Sequence, residues 1–273
     1  MKRFAPTSAG VLAALLLLSP IGCALAAPAT TSGTLQVFAA ASLADAFGDL
    51  ARRLERSHPG LTVRLDLAGS QQLASQIEQG AAADVFAYAD ERWMSHVRDH
   101  GGLAGEPATF ARNALVVIVP ATNPARLHRL ADLARGGVKL VLGSDAVPVG
   151  HYSRTVLANL SHDPVLGPGY TDAVLHNVVS EEENVKSVVG KVQLGEADAG
   201  IVYRSDVSPS VARFVRVIEI PAAANAVATY PIAVTAHGRD DEAARAFVDL
   251  VRSPEGQAVL VKRGFLPAGD TKP

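Results

Sequence analysis

Two hydrophobic periodicities alternate along this chain, and they constrain its fold more than any other feature. Short apolar runs such as residues 35–40 and 115–119 are rich in aliphatic residues and predict buried strands. Between such runs lie stretches with helical spacing. Over residues 43–54, apolar side chains recur at i, i+3, i+4, i+7 and i+11, which predicts one buried helix face. Strands that alternate with helices favour an α/β fold with mostly parallel strands.

The same patterns place the remaining elements. A second helix is predicted from about Val185 to Leu194, and residues 240–263 predict two helices that divide at Ser253-Pro254, because proline suits a first helical turn. Further strands are predicted at residues 61–67, 85–88, 139–143, 200–203, 215–220 and 230–235.

The N-terminus has the layout of a secretory signal peptide. Positive charge at residues 1–3 precedes an apolar run at 11–18, which is too short to span a bilayer, and small residues follow at 24–26. We therefore predict a signal peptide of residues 1–26 and export of the mature chain to the periplasm.

The single cysteine, Cys23, lies within this processing region. As an alternative to cleavage after Ala26, Cys23 would carry a lipid anchor, but the preceding residues 20–22 match that motif poorly. A mature chain without cysteine has no disulfide and no thiolate site. A net charge of −2, with cations scattered among acids, argues against a nucleic-acid or membrane-binding surface.

Small residues and a serine follow each of the first two predicted strands. Ser42 stands where a helix should begin, with Asp45 in capping-box position, and Gly69-Ser70 open the next helix. Helix N-termini have unpaired N–H groups that attract anions, and small residues let a ligand approach the backbone. Helix capping explains either serine alone, but two such serines at successive strand ends favour an anion site.

Six motifs are spread in order over the mature chain: VFAAASL at 37–43, AGS at 68–70, QIEQGAAADVFA at 76–87, VPVGHY at 147–152, GEADAGIVYRSD at 195–206 and YPIAV at 230–234. In content and order they resemble the periplasmic molybdate-binding proteins of ABC transporters, and the likeness ends only near Gly264-Phe265.

The resemblance implies a two-lobed periplasmic-binding-protein fold: α/β, mixed but mostly parallel sheets, helices on both faces and a ligand cleft between the lobes. Domain one would comprise residues 33–117 plus 232–270, and domain two residues 118–231. The crossing segments near 116–120 and 230–234 would form the hinge.

The resemblance also implies a function and a set of binding residues. The protein would capture molybdate, and also tungstate, for the membrane permease of an ABC transporter, as a monomer without a cofactor and without enzymatic activity. The hydroxyl groups of Ser42, Ser70 and Tyr203 and the main-chain N–H groups of Val149 and Val185 would hold the oxyanion. All five are neutral hydrogen-bond donors.

Two features depart from the family pattern. Val149 stands where the family often has alanine, which keeps the main-chain donor but changes the pocket wall. Three acids, Glu181, Glu182 and Glu183, fall in the predicted first turn of the helix that carries Val185, where they suit the helix dipole, and Ser180 with Glu183 fits a capping box. The alternative is a carboxylate that ligates the metal directly.

Several other residues are weaker candidates for a functional role. His96 and His100 have a spacing that can bind a metal, but their polar surroundings favour a solvated helix end. His151 follows Gly150 beside the expected cleft and is interpreted as a rim residue, and Trp93 and Met94 as packing residues.

Two other functions stay open from the sequence. One is a binding protein for another oxyanion, such as sulfate or thiosulfate. The other is an exported serine hydrolase, against which stands the lack of any nucleophile-elbow, Ser-x-x-Lys, zinc-protease or phosphate-loop motif.

Overall fold

A computed structural model describes residues 1–2 and 33–269 of the chain. Apart from its first two residues, the predicted signal peptide lies outside the described residues, and so does Cys23 with the choice between cleavage and lipidation. No helix in the described part of the chain is long and apolar enough to cross a membrane.

The described residues form ten strands and nine α-helices. The strands are β1 (Gly33–Ala40), β2 (Leu61–Ala68), β3 (Val85–Ala87), β4 (Ala108–Pro120), β5 (Leu140–Gly143), β6 (Val178–Glu182), β7 (Ala199–Tyr203), β8 (Val215–Glu219), β9 (Val227–Val234) and β10 (Leu266–Pro267). The helices are α1 (Ala44–Ser57), α2 (Ser70–Glu78), α3 (Glu91–Asp99), α4 (Pro148–Leu160), α5 (Tyr170–His176), α6 (Val185–Gln193), α7 (Pro209–Ala212), α8 (Glu242–Arg252) and α9 (Pro254–Lys262).

The strands form one continuous sheet in the order β2-β1-β3-β9-β4-β7-β5-β6, with β8 and β10 also beside β4. The long strand β4 divides this sheet. Its first part, Ala108 to Ala114, pairs with β9, and its second part, Leu115 to Pro120, pairs with β7 and β8. We call the strands on the β9 side the first sheet region and those on the β7 side the second sheet region.

The α/β fold class is confirmed, and the sheet is mixed. Pairing is parallel at the two outer ends, between β1 and its neighbours β2 and β3 and between β5 and its neighbours β6 and β7. It is antiparallel around β4 and between β3 and β9. The expected predominance of parallel pairing is not found, since four strand pairs are parallel and five are antiparallel. The antiparallel pairs arise because β4 leads the chain out of the first sheet region and β9 leads it back in the opposite direction.

The register of the parallel strands positions the site. Ala40 at the end of β1 lies opposite Ala68 at the end of β2, and Ala39 lies opposite Ala87 of β3. The segments that follow these strands therefore emerge side by side at one edge of the sheet. Ligands of open α/β sheets bind at this carboxyl-terminal edge.

Helix α1 packs on the first sheet region through the face predicted from its periodicity, and each of these apolar residues is buried: Leu43, Ala46, Phe47, Leu50 and Leu54. The Phe47 ring lies 5.7 Å from that of Phe110 and 5.3 Å from that of Phe247, so α1 and α8 share one core. Burial of each large side chain contributes about 1.5–3 kcal/mol, which fixes the serine-bearing segment before α1.

The segment before α6 is a strand rather than the predicted first helical turn. Residues Val178–Glu182 form β6 on the free edge of β5, and α6 begins at Val185. The predicted capping box of Ser180 and Glu183 is therefore wrong. Asn184 caps the helix instead: its backbone is extended, and its side chain accepts the Ser187 N–H at 3.0 Å.

Candidate functional site

The five predicted site residues line one cavity at the edge where strand ends and helix starts converge. All five are buried: Ser42, Ser70, Val149, Val185 and Tyr203. The volume of the cavity is about 20 Å³. Pockets for drug-sized molecules hold roughly 300–1,000 Å³, so this one suits a much smaller ligand.

Ser42 does not cap a helix, contrary to the prediction. It lies in a short 3-10 turn, Ala41–Leu43, and α1 begins only at Ala44 without a side-chain cap. Its hydroxyl lies 3.0 Å from the hydroxyl of Tyr230. When Tyr230 donates to this contact, the Ser42 proton is free to point into the cavity.

Ser70 is the first residue of α2 and does not cap it either. Gly69 occupies the N-cap position, and its N–H donates to Gln72 Oε1 at 3.2 Å. The Ser70 hydroxyl accepts a long bond from the Ala89 N–H at 3.5 Å. A Cβ on Gly69 would stand 2.3 Å from the Glu183 carbonyl oxygen, so glycine is required for the close approach of these two segments.

Val149 and Val185 open two helices that point at the cavity from the second sheet region. Val149 is the second residue of α4, after Pro148, and Val185 is the first residue of α6. First-turn N–H groups have no partner within their own helix, and the helix dipole places partial positive charge there. These two helix starts therefore present main-chain donors to whatever occupies the cavity.

Tyr203, at the end of β7, completes the lining. Its hydroxyl is buried and has no hydrogen-bond partner among the described residues. Burial raises the pKa of Tyr203 well above its ordinary value near 10, so the phenol stays protonated and can donate. A buried hydroxyl without a partner costs about 1–3 kcal/mol, and an acceptor inside the cavity would remove that cost.

The cavity lining carries no charged side chain. Besides the five predicted residues it consists of Ala40, Ala41, Ala68, Gly69, Ala89, Val147, Pro148 and Asn184. Lys186, which follows the lining residue Val185, lies 3.2 Å from the buried carboxylate of Asp206, whose pKa is raised by its burial. A ligand anion here would be neutralised by donors and dipoles, without an arginine or lysine.

The three acids before α6 point to partners other than the cavity. Glu181 forms an ion pair with Arg154, and Glu182 lies 2.5 Å from Lys191. Glu183 Oε2 accepts from Gln72 Nε2 at 2.8 Å. The structure thus gives each acid a polar partner outside the lining.

Hydrogen bonds join the two sheet regions around the cavity. Gln71 Nε2 donates to the Glu183 carbonyl at 2.9 Å, alongside the bond from Gln72. On another side, Trp93 Nε1 and an Arg92 guanidinium nitrogen donate to the Ala146 carbonyl at 3.0 and 3.1 Å. Trp93, interpreted from sequence as a packing residue, therefore also bridges the two regions, whereas Met94 is buried in the core. We call these contacts the closing bonds.

Three residues at the site were not identified from the sequence as site residues. Ala89 contributes only backbone, which no side-chain pattern reveals. Asn184 carried a signal, since asparagine is a strong N-cap, but the cap was assigned to Ser180. Tyr230 stood in a recognised motif, yet its contact with Ser42 joins residues 188 positions apart. His151 is half-exposed, 3.5 Å from Asp145, and does not line the cavity.

Comparison with known proteins gives a consistent picture. Residues 35–266 match the family model of the bacterial extracellular solute-binding proteins. The chain is 38% identical over 272 residues to molybdate-binding protein ModA of Mycobacterium tuberculosis, covering 96% of this chain and 98% of that protein. It is 31% identical to ModA of Escherichia coli, covering 85% and 89%.

A solved structure supports the same fold. The substrate-binding domain of a putative molybdenum ABC transporter from Clostridium difficile superposes with a TM-score of 0.63 at 28% identity, over 86% of this chain and 98% of that one.

Proposed function

Because this chain belongs to the bacterial extracellular solute-binding proteins, we propose that it captures molybdate and delivers it to the membrane permease of an ABC transporter. The relatives named for molybdate cover nearly the whole chain. Solute-binding proteins of this family are not enzymes, and no histidine lines the cavity to activate Ser42 or Ser70 as a nucleophile.

The observation that carries the proposal is a small, buried, uncharged cavity surrounded by donors. We propose that the hydroxyls of Ser42, Ser70 and Tyr203 and the N–H groups of Val149 and Val185 bind the molybdate oxygens. A hydrogen bond to a charged group contributes roughly 1.5–3 kcal/mol. Five such bonds would hold a dianion without a metal–carboxylate bond, and because no counter-charge is fixed in the cavity, release to the permease needs no ion pair to be broken.

We expect tungstate to bind as well, since bond length decides selectivity in such a cavity. Molybdate, tungstate and sulfate are all tetrahedral dianions, so charge and donor number do not separate them. Metal–oxygen bonds are nearly equal in molybdate and tungstate and longer than the sulfur–oxygen bond. Donors placed for the larger ion are too distant from sulfate oxygens, and a hydrogen bond stretched beyond about 3.2 Å is weak. Phosphate also carries a proton at neutral pH, which a lining of donors leaves unpaired.

Competition calorimetry tests this proposal. We expect similar affinities for molybdate and tungstate, and at least about a hundredfold weaker binding of sulfate and phosphate, equivalent to roughly 3 kcal/mol. Sulfate or thiosulfate displacing molybdate at similar concentration would assign the protein to another oxyanion and reject molybdate as its ligand.

The cellular setting completes the proposal. Residues 1–26 would direct export to the periplasm, where the protein works as a monomer, and its family is one of extracellular proteins. We propose two domains, residues 33–117 with 232–270 and residues 118–231. The first would contribute Ser42 and Ser70 to the site, and the second would contribute Val149, Val185 and Tyr203.

A further inference from the structure

Two histidines and a glutamate meet at the exposed ends of α2 and α3, away from the anion cavity. His96 lies on α3 and His100 follows its last residue, and their ring centroids are 4.5 Å apart. Glu78, the last residue of α2, places Oε1 2.5 Å from His96 Nε2 and 3.7 Å from His100 Nδ1. The spacing of the two histidines is visible in the sequence, but only the fold adds the carboxylate.

The three side chains converge closely enough to share one ion. Each offers a ligand atom, and these atoms all lie within 4.8 Å of one another. Zinc binds histidine nitrogen and carboxylate oxygen at about 2.0–2.2 Å, so its ligand atoms lie roughly 3–3.5 Å apart. We propose that Glu78, His96 and His100 form a binding site for a divalent transition-metal ion of the zinc class, with a fourth position open to water.

The hydrogen bonding of His100 supports metal binding. Its Nδ1 lies 2.7 Å from the main-chain carbonyl oxygen of His96. When Nδ1–H donates to that carbonyl, Nε2 is the nitrogen of His100 whose lone pair remains for a metal, so the 3.7 Å contact of Nδ1 with Glu78 is not a distance between two ligand atoms. A histidine that ligates a metal commonly donates its other N–H in this way.

The surroundings of the site also favour a cation. The groove around it is lined by Ile77, Glu78, His96, Val97, His100, Gly101 and Gly102, which include no lysine or arginine. Imidazole ligands select zinc, copper or nickel, whereas magnesium and calcium prefer all-oxygen sites.

The proposed metal site and the anion cavity lie at opposite ends of one helix. Ser70 begins α2 and Glu78 ends it, a separation of about 12 Å at 1.5 Å per residue. None of the three metal ligands lines the cavity. Zinc binding and molybdate binding can therefore be measured as independent properties.

Calorimetric titration of the tag-free, metal-stripped protein with zinc chloride tests the site. We expect one zinc ion per chain. A His96→Ala/His100→Ala double variant should bind zinc at least about a hundredfold more weakly and Glu78→Gln at least about tenfold. His162→Ala, which removes an exposed histidine elsewhere, is the matched control and should leave zinc affinity unchanged. All four proteins should bind molybdate equally, which verifies that they are folded.

Three results would overturn the inference. They are the absence of zinc binding by the parent protein, unchanged zinc affinity in the double variant, and magnesium binding as tight as that of zinc. If the parent protein does not bind molybdate, the proposed function is rejected, but the zinc result is unaffected.

Discussion

At the scale of single residues, the two serines owe their positions to contacts that helix capping does not explain. Ser42 lies in a turn before α1 and contacts Tyr230, while Ser70 follows the N-cap of α2. Both hydroxyls are buried at the cavity wall. A buried serine that caps nothing must be explained by a neighbour or a ligand, and this favours a binding role for both.

Replacement of either serine tests that role. Ser42→Ala and Ser70→Ala should each weaken molybdate binding by about ten- to a hundredfold, because each removes a hydrogen bond to a charged group worth roughly 1.5–3 kcal/mol. Calorimetry gives the affinities. Ser75→Ala, on the exposed side of α2, and His96→Ala are controls that should bind like the parent, and unchanged affinity in both site variants would remove the proposed site.

The two serines were located from their positions after predicted strands, and Tyr203 from the family resemblance. Ser42, Ser70 and Tyr203 stand in motifs, and the structure brings them to one cavity. Ala89 was not predictable, since any residue offers the same main-chain atoms. The pairing of Tyr230 with Ser42 was not predictable because it depends on strands β9 and β1 meeting through β3, which local patterns do not contain.

At the scale of elements, helical periodicity predicted helices correctly, whereas a strand with a polar end was not predicted. The buried face of α1, the start of α6 and the division of α8 from α9 at Ser253 agree with the sequence. Strand β6 was missed because its Ser-Glu-Glu end looks like an acidic first helical turn. Its strand character comes from the open edge of β5, a tertiary effect outweighing local propensity.

The start of α6 offers a way to delete a main-chain donor without breaking a helix. Proline is tolerated at the first helical position and lacks an N–H. Asn184 before it is already extended, as a residue before proline prefers. Val185→Pro should therefore weaken molybdate binding about ten- to a hundredfold with little change in helix content.

The matched control is Val185→Ala, which trims the side chain and keeps the N–H. Its molybdate affinity should stay within a few-fold of that of the parent, with circular dichroism showing that both variants are folded. Equal losses in the two variants would mean that the side chain, and not the N–H, supports binding.

At the scale of the whole molecule, we propose a hinged protein, with the closing bonds formed in its closed state. They join segments of the two sheet regions close to the cavity lining, and the regions are connected through β4 and the chain that leads back to β9. A ligand that contacts both sides stabilises the closed arrangement over an open one.

Closure can be followed directly in solution. Trp93, the single tryptophan of the chain, donates one of the closing bonds, so its fluorescence should change on molybdate addition and saturate with the calorimetric affinity. Small-angle scattering should show a smaller radius of gyration with ligand. Trp93→Phe should abolish the optical signal and weaken binding by about two- to tenfold, as for one neutral hydrogen bond. Identical scattering with and without molybdate would rule out closure.

The main-chain donors at Val149 and Val185 have a consequence for how such proteins diverge. Every amino acid except proline has the N–H that these two positions supply. If the proposed binding mode is right, substitutions there keep the donors to the ion. A valine in place of an alanine at position 149 then changes the cavity wall but keeps the main-chain donor. On this proposal, part of the ligand recognition depends on the path of the backbone and not on the identity of the side chains.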